Sequence, residues 1–217
     1  MFKKKSTKML LAILTLLVLV LAGVEFKNII DKNAKEQQPV INTKTIGPYT
    51  VNANQTEFQK KVATELEAAL KTGKGIPITT AVSRYFISDF FTLRDKANKN
   101  DVGGMGFVLL DAQAQFKVNA ISSYYRDLAT FQQTYGKDNL PLVVEVKVGR
   151  PTRVANTEVS VSSSSTLKIR SVYDIPVSWQ YEKNDATAKM NIVNKAVLRF
   201  VRASDNNWYI YQINGAQ

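Results

Sequence analysis

The sequence predicts an α+β domain held behind an N-terminal transmembrane helix. Three observations predict it. Residues 9–24 are an apolar run that directly follows a group of lysines. Between 56 and 135 the apolar positions recur every three or four residues. From 142 to 213 they alternate with a period of two. Helices followed by a run of antiparallel strands is the α+β order.

The apolar run contains only Thr15 and Gly23 as interruptions. Phe26 and the stem of Lys27 extend it, which brings it close to the length a spanning helix needs. Lys3, Lys4, Lys5 and Lys8 precede it with no acid among them. By the positive-inside rule they are the topology signal, with the N-terminus in the cytoplasm and the rest outside. A cleavable signal peptide would use the same basic start, with Val20 and Ala22 before a cut at Gly23. The apolar run continues past that point, which favours an anchor. The expected organisation is a cytoplasmic tail over 1–8, an anchor over 9–26, a linker over 27–55 and an extracytoplasmic domain over 56–217. The linker is polar, with Pro39 and the Gly47-Pro48 pair as punctuation. Ile46, Tyr49 and Val51 allow its second half to lie against the domain.

Within the domain, Thr56 and Gln59 have the spacing of a capping box. Phe58, Val62, Leu66 and Leu70 follow as one helical stripe, and Gly73 stops it. A second helix is expected after Pro77, capped by Thr79 or Thr80, with Val82, Phe86, Phe90, Leu93 and Ala97 on one face. A third is expected over about 119–135 and ends at Gly136. Strands follow around Val144–Val148, Val159–Val161, Leu167–Ile169 and Val177–Tyr181. Asn184-Asp185 reads as a turn. A long strand is expected over 190–201, a turn at 205–207 and a last strand over 208–213.

The composition limits the chemistry. The chain has 217 residues and a formal charge of +11, with neither cysteine nor histidine. Disulfides, thiolate sites, imidazole bases and His-ligated zinc are therefore excluded. The four N-terminal lysines account for part of the charge, and the rest of the chain carries +7. Arg150, Arg153, Lys168 and Arg170 are candidates for a basic sheet face. No basic cluster with interleaved aromatics supports nucleic-acid contact, and wall polymers or lipid headgroups explain the excess equally well. Gly103-Gly104-Met105-Gly106 lacks the strand before it that a phosphate cradle needs, and it reads as a flexible interhelical turn. Asp89 is the candidate general base, with Tyr85 or Tyr124 as oxyanion donor. The plainer reading of these three is a paired or solvated carboxylate and core aromatics. Ser162 to Ser165 have no base to activate them and read as a strand end or loop. No catalytic residue, cofactor or metal is expected.

This layout resembles the bitopic assembly factors of type IV secretion systems. The similarity lies in the short basic tail, one spanning helix and a linker. It continues in helices bearing Arg84-Tyr85-Phe86 and Phe90-Phe91, then strands ending in Trp208-Tyr209-Ile210-Tyr211. The Asn-Pro-x-Gly segment often found in the Gram-negative branch is not reproduced by residues 191–194 or by Asn214-Gly215. The resemblance implies a cone of the nuclear transport factor two type, with about three helices packed on a curled antiparallel sheet. It further implies a non-enzymatic role in a Gram-positive conjugation channel, with other channel subunits and a homo-oligomer as partners. The alternatives are a ligand- or wall-binding module on that fold, or an acid–base isomerase-like enzyme.

Overall fold

The computed structural model describes residues 42–154, 157–162, 165–169, 172–190 and 192–215. All fall within one compact unit, residues 39–217. Lys3, Lys4, Lys5, Lys8, the anchor expected over 9–26 and the first half of the linker lie outside the described residues. Among the described residues, no helix is long and apolar enough to cross a membrane.

The fold opens on a hairpin. β1 (Thr43–Ile46) pairs antiparallel with β2 (Tyr49–Asn52), and Ile46 faces Tyr49 across a turn. Gly47 turns the chain with φ +56, in the left-handed region that glycine enters at little cost. Ile46, Tyr49 and Val51 are buried. The Tyr49 ring stacks on Phe107 at 4.9 Å, and its hydroxyl donates to the Trp208 carbonyl at 2.8 Å. The second half of the expected linker is thus a strand pair of the folded unit. Three apolar side chains taken out of water, at about 1.5–3 kcal/mol each, explain why it docks.

α1 (Glu57–Lys71) carries the full capping box between Thr56 and Gln59. α2 (Gly75–Phe90) begins ahead of the expected start, with Lys74 at its N-cap and no side-chain cap. Pro77 sits inside its first turn, where the missing N–H costs nothing. Thr79 bonds back to the Ile76 carbonyl at 3.1 Å instead of capping. α2 stops at Phe90, so Leu93 and Ala97 belong to the following loop and not to the helix. The amides of Leu93 and Arg94 both donate to the Pro141 carbonyl, which pins this loop beside the sheet.

The expected third helix is two helices. α3 (Gln113–Ser122) begins earlier, and α4 (Leu128–Tyr135) follows after a break. Ser123 leaves helical geometry with ψ −91, and the Tyr125 amide turns back to the Ala120 carbonyl at 3.0 Å. The break lets Tyr125 reach the core, where it is fully buried.

Five strands form the main sheet: β3 (Val143–Val148), β4 (Thr152–Val154), β7 (Val172–Tyr181), β8 (Lys195–Arg202) and β9 (Trp208–Asn214). The order is β3-β7-β8-β9, and β4 also pairs with β7. All of these pairings are antiparallel. β5 (Thr157–Ser162) and β6 (Ser165–Ile169) make a separate hairpin, with Ser162 opposite Ser165. The serine run therefore falls at a strand-to-strand junction. Asn184 does not mark a simple turn. It caps the short helix α5 (Asp185–Lys189), which shortens the strand expected from 190. Ile175, Val177, Trp179, Ala196, Leu198, Phe200 and Ile210 form the buried side of the sheet. Val82, Phe86 and Phe90 of α2 join the same core.

Candidate functional site

Two places in the fold gather side chains with chemical potential. The first is a buried charge cluster where α2 ends. Asp89 lies in the last turn, and the chain loops back so that Lys96 meets it. Lys96 is 1% exposed and Asp89 5%. The Lys96 Nζ donates to Asp89 Oδ1 at 2.8 Å and stands 2.9 Å from Asp95 Oδ1. The second contact is an ion pair by distance, but Asp95 Oδ1 has no aligned hydrogen bond. Gln59 Nε2 donates to the Ser88 carbonyl at 3.1 Å and reaches Asp95 Oδ2 at 3.5 Å.

The glycine segment closes the cluster. The Gly104 amide donates to Asp89 Oδ2 at 2.8 Å. The Gly103 amide donates to the Tyr125 hydroxyl at 3.1 Å, which itself donates to the Phe90 carbonyl at 2.6 Å. A Cβ on Gly103 would stand 2.4 Å from the Asp89 carbonyl oxygen. This segment was expected as a flexible interhelical turn. It is a turn between helices, with Gly103 and Gly104 buried as a clamp, because only residues without a side chain fit that close to the end of α2.

Burial works to lower the Lys96 ammonium, and the two carboxylates override it and hold it well above its ordinary value. Burial raises Asp95, against the pull of Lys96. Burial likewise raises the Tyr125 phenol. These shifts describe a cation held by two carboxylates in a dry setting, with burial favouring the protonated form of Asp95.

The second place is a cavity of about 510 Å³ between α3 and β9. Phe90, Phe91, Phe116 and Tyr124 wall one side, and Tyr211 and Ile213 the other. Its polar groups include the Gln115, Asn119 and Gln212 amides and the Ser123 hydroxyl. No lysine, arginine or carboxylate is among the described lining residues. Phe90 and Tyr124 stack at 5.7 Å, and Phe116 meets Phe90 edge-on at 5.6 Å. The Tyr124 hydroxyl donates to the Phe91 carbonyl at 3.0 Å, and burial holds its phenol well above the ordinary value. Such a cavity accepts an uncharged, largely apolar guest and offers amides to orient it.

The structure separates the residues singled out for chemistry. Asp89 is tied to Lys96 and Gly104 and does not line the cavity. Its partner is a lysine from the loop, which makes it the paired carboxylate of the plainer reading. Tyr85 is buried against Phe107 at 5.1 Å, and its hydroxyl accepts from Gln55. Only Tyr124 reaches the cavity. Arg153 is exposed on β4, Lys168 is on the separate β5–β6 hairpin, and Arg170 lies outside the described residues. Among the described residues, no group of three or more His, Cys, Asp or Glu is placed to hold a metal. Lys96, Asp95 and the α3 wall were not found from sequence. The seven-residue step from Asp89 to Lys96 crosses a helix end, where no periodicity relates the two positions.

The chain matches no protein-family model, no curated protein and no solved structure.

Proposed function

We propose that this chain is a membrane-anchored, non-enzymatic assembly component of a conjugative type IV secretion channel. It acts outside the membrane, by self-association and by contacts with other channel subunits. The reading draws on the basic and apolar N-terminus and on the nuclear transport factor two-like order of helices before an antiparallel sheet. One observation carries the non-enzymatic part. The carboxylate best suited to proton abstraction is buried in an ion pair, away from the cavity, and the described cavity walls hold no charged group. A site of that kind binds without moving protons. Anchoring confines such a domain to a thin layer near the membrane and raises its effective concentration for assembly. The test is deletion of the gene in its host, followed by plasmid transfer. Transfer should be lost and should return with the full chain supplied in trans. Normal transfer in the deletion strain overturns the reading.

A second reading rests on the cavity itself: a module of the same fold that binds an uncharged ligand or an apolar side chain of a wall or protein partner. Phe116→Asp places a charge on the cavity wall. Under this reading it removes binding while the far-ultraviolet spectrum is kept. An unchanged partner profile in crosslinked membranes would count against it.

A further inference from the structure

We propose that Lys96 and Asp89 are joined by an isopeptide bond that the folded chain forms on itself, with Asp95 as the proton carrier. The inference stands apart from the secretion reading and rests on the geometry of the buried cluster.

Amide formation from an amine and a carboxyl group needs four things. The groups must touch, a second group must move protons, the developing oxyanion needs a donor, and water must be kept away. The cluster supplies all four. Lys96 Nζ is 2.8 Å from Asp89 Oδ1, within the reach that makes two side chains effectively one reactant. Asp95 Oδ1 stands 2.9 Å from the same nitrogen. The Gly104 amide points at Asp89 Oδ2 from 2.8 Å, where the oxyanion of a tetrahedral intermediate would sit. Lys96 is 1% exposed. Tyr125, fully buried, covers the site by bonding Gly103 and Phe90.

The atoms balance without an oxidant or any other reactant. The Lys96 ammonium gives one proton to the Asp89 carboxylate, which leaves a neutral amine beside a neutral acid. Nζ attacks Cγ of Asp89, and negative charge gathers on Oδ2 under the Gly104 amide. Asp95 takes a proton from the new N–C centre and passes it to Oδ1. Oδ1 leaves as water when the Cγ–Oδ1 bond breaks. The products are a neutral amide, one water and Asp95 again as carboxylate. Asp89 and not Asp95 is the acceptor, because only Asp89 has both an aligned bond from Nζ and an amide donor on its other oxygen. A buried ion pair keeps paying desolvation for both ions, and condensation removes both charges at once.

The test is the mass of the full-length chain, purified from membranes in detergent, followed by a tryptic map under denaturing conditions. The expected intact mass is lower than the sequence mass by one water. The expected map joins peptide 85–94 to peptide 95–99, because acylated Lys96 resists trypsin. An unreduced mass overturns the proposal. So does release of peptide 85–94 beside a free Asp95-Lys96 dipeptide. A water lost at any other position, as from a cyclised aspartate, overturns it as well. Asp95→Asn should retain its own full sequence mass, and a joined peptide pair in that variant would overturn the role given to Asp95. The wild-type map decides the bond however that variant folds.

Discussion

Before any condensation, Lys96 is an ammonium where almost no water reaches, held by carboxylates from a helix end and from its own neighbour in the chain. Removing the cation leaves both carboxylates buried and unpaired. Lys96→Met should therefore cost about 3–5 kcal/mol, read as a shift of the urea midpoint. Asp95→Asn leaves the Asp89–Lys96 ion pair in place, uncondensed, and should cost clearly less. Equal losses in the two variants would show that Asp95 holds the lysine as firmly as Asp89 does. At the surface the arithmetic differs. The Lys60–Glu57 pair spans 2.6 Å between largely exposed side chains, and its loss should pass almost unnoticed.

Among the elements, the β1–β2 hairpin shows how much depends on backbone clearance. Gly106 passes so close to β2 that a Cβ there would lie 1.9 Å from the Thr50 carbonyl oxygen. Neither partner is a flexible side-chain tip. Gly106→Ala should push the hairpin off its seat, at a cost of about 1–3 kcal/mol, and speed amide exchange in β2. Protection in β2 equal to wild type would refute this. The elements also show what sequence can and cannot reveal. α1 was legible to the residue, since Thr56, Gln59 and the stripe from Phe58 to Leu70 are all local signals. The strands of the main sheet were legible in part, because a period of two needs no knowledge of the partner strand, but β4 and the first half of β7 were not. The break at Ser123 was not, because Tyr124 and Tyr125 continue the helical spacing and only the core shows why the chain must turn. The hairpin in the expected linker was missed for a related reason. It is four residues a strand and polar on one face, and what recruits it is Phe107 and Trp208 from distant parts of the chain. The candidate cavity was half legible: Phe90, Phe91 and Tyr124 stood out as aromatics, but β9 closes it from the far end of the sequence.

For the whole molecule, alkali reveals how the core is built. Tyr49, Tyr85, Tyr124 and Tyr125 all have phenols raised above 10.0, in each case chiefly by burial. In every case the folded chain holds a proton that the unfolded chain gives up first. Their contribution is therefore complete below pH 10 and is lost as pH climbs through the raised values. Urea midpoints should be flat from neutral pH to about pH 10 and then fall steeply, together with the rise of phenolate absorbance. A phenolate rise before unfolding larger than the other five tyrosines can supply would contradict the burial of these rings. The same architecture has an optical consequence. The chain has two tryptophans, both buried on the sheet. Trp179 lies 4.2 Å from Phe91, a wall of the cavity, whereas Trp208 lies beside Tyr173 and lends its carbonyl to the hairpin. Their emission forms two native reporters, one for cavity occupancy and one for hairpin docking, and replacing either with phenylalanine leaves a single-colour readout of the other.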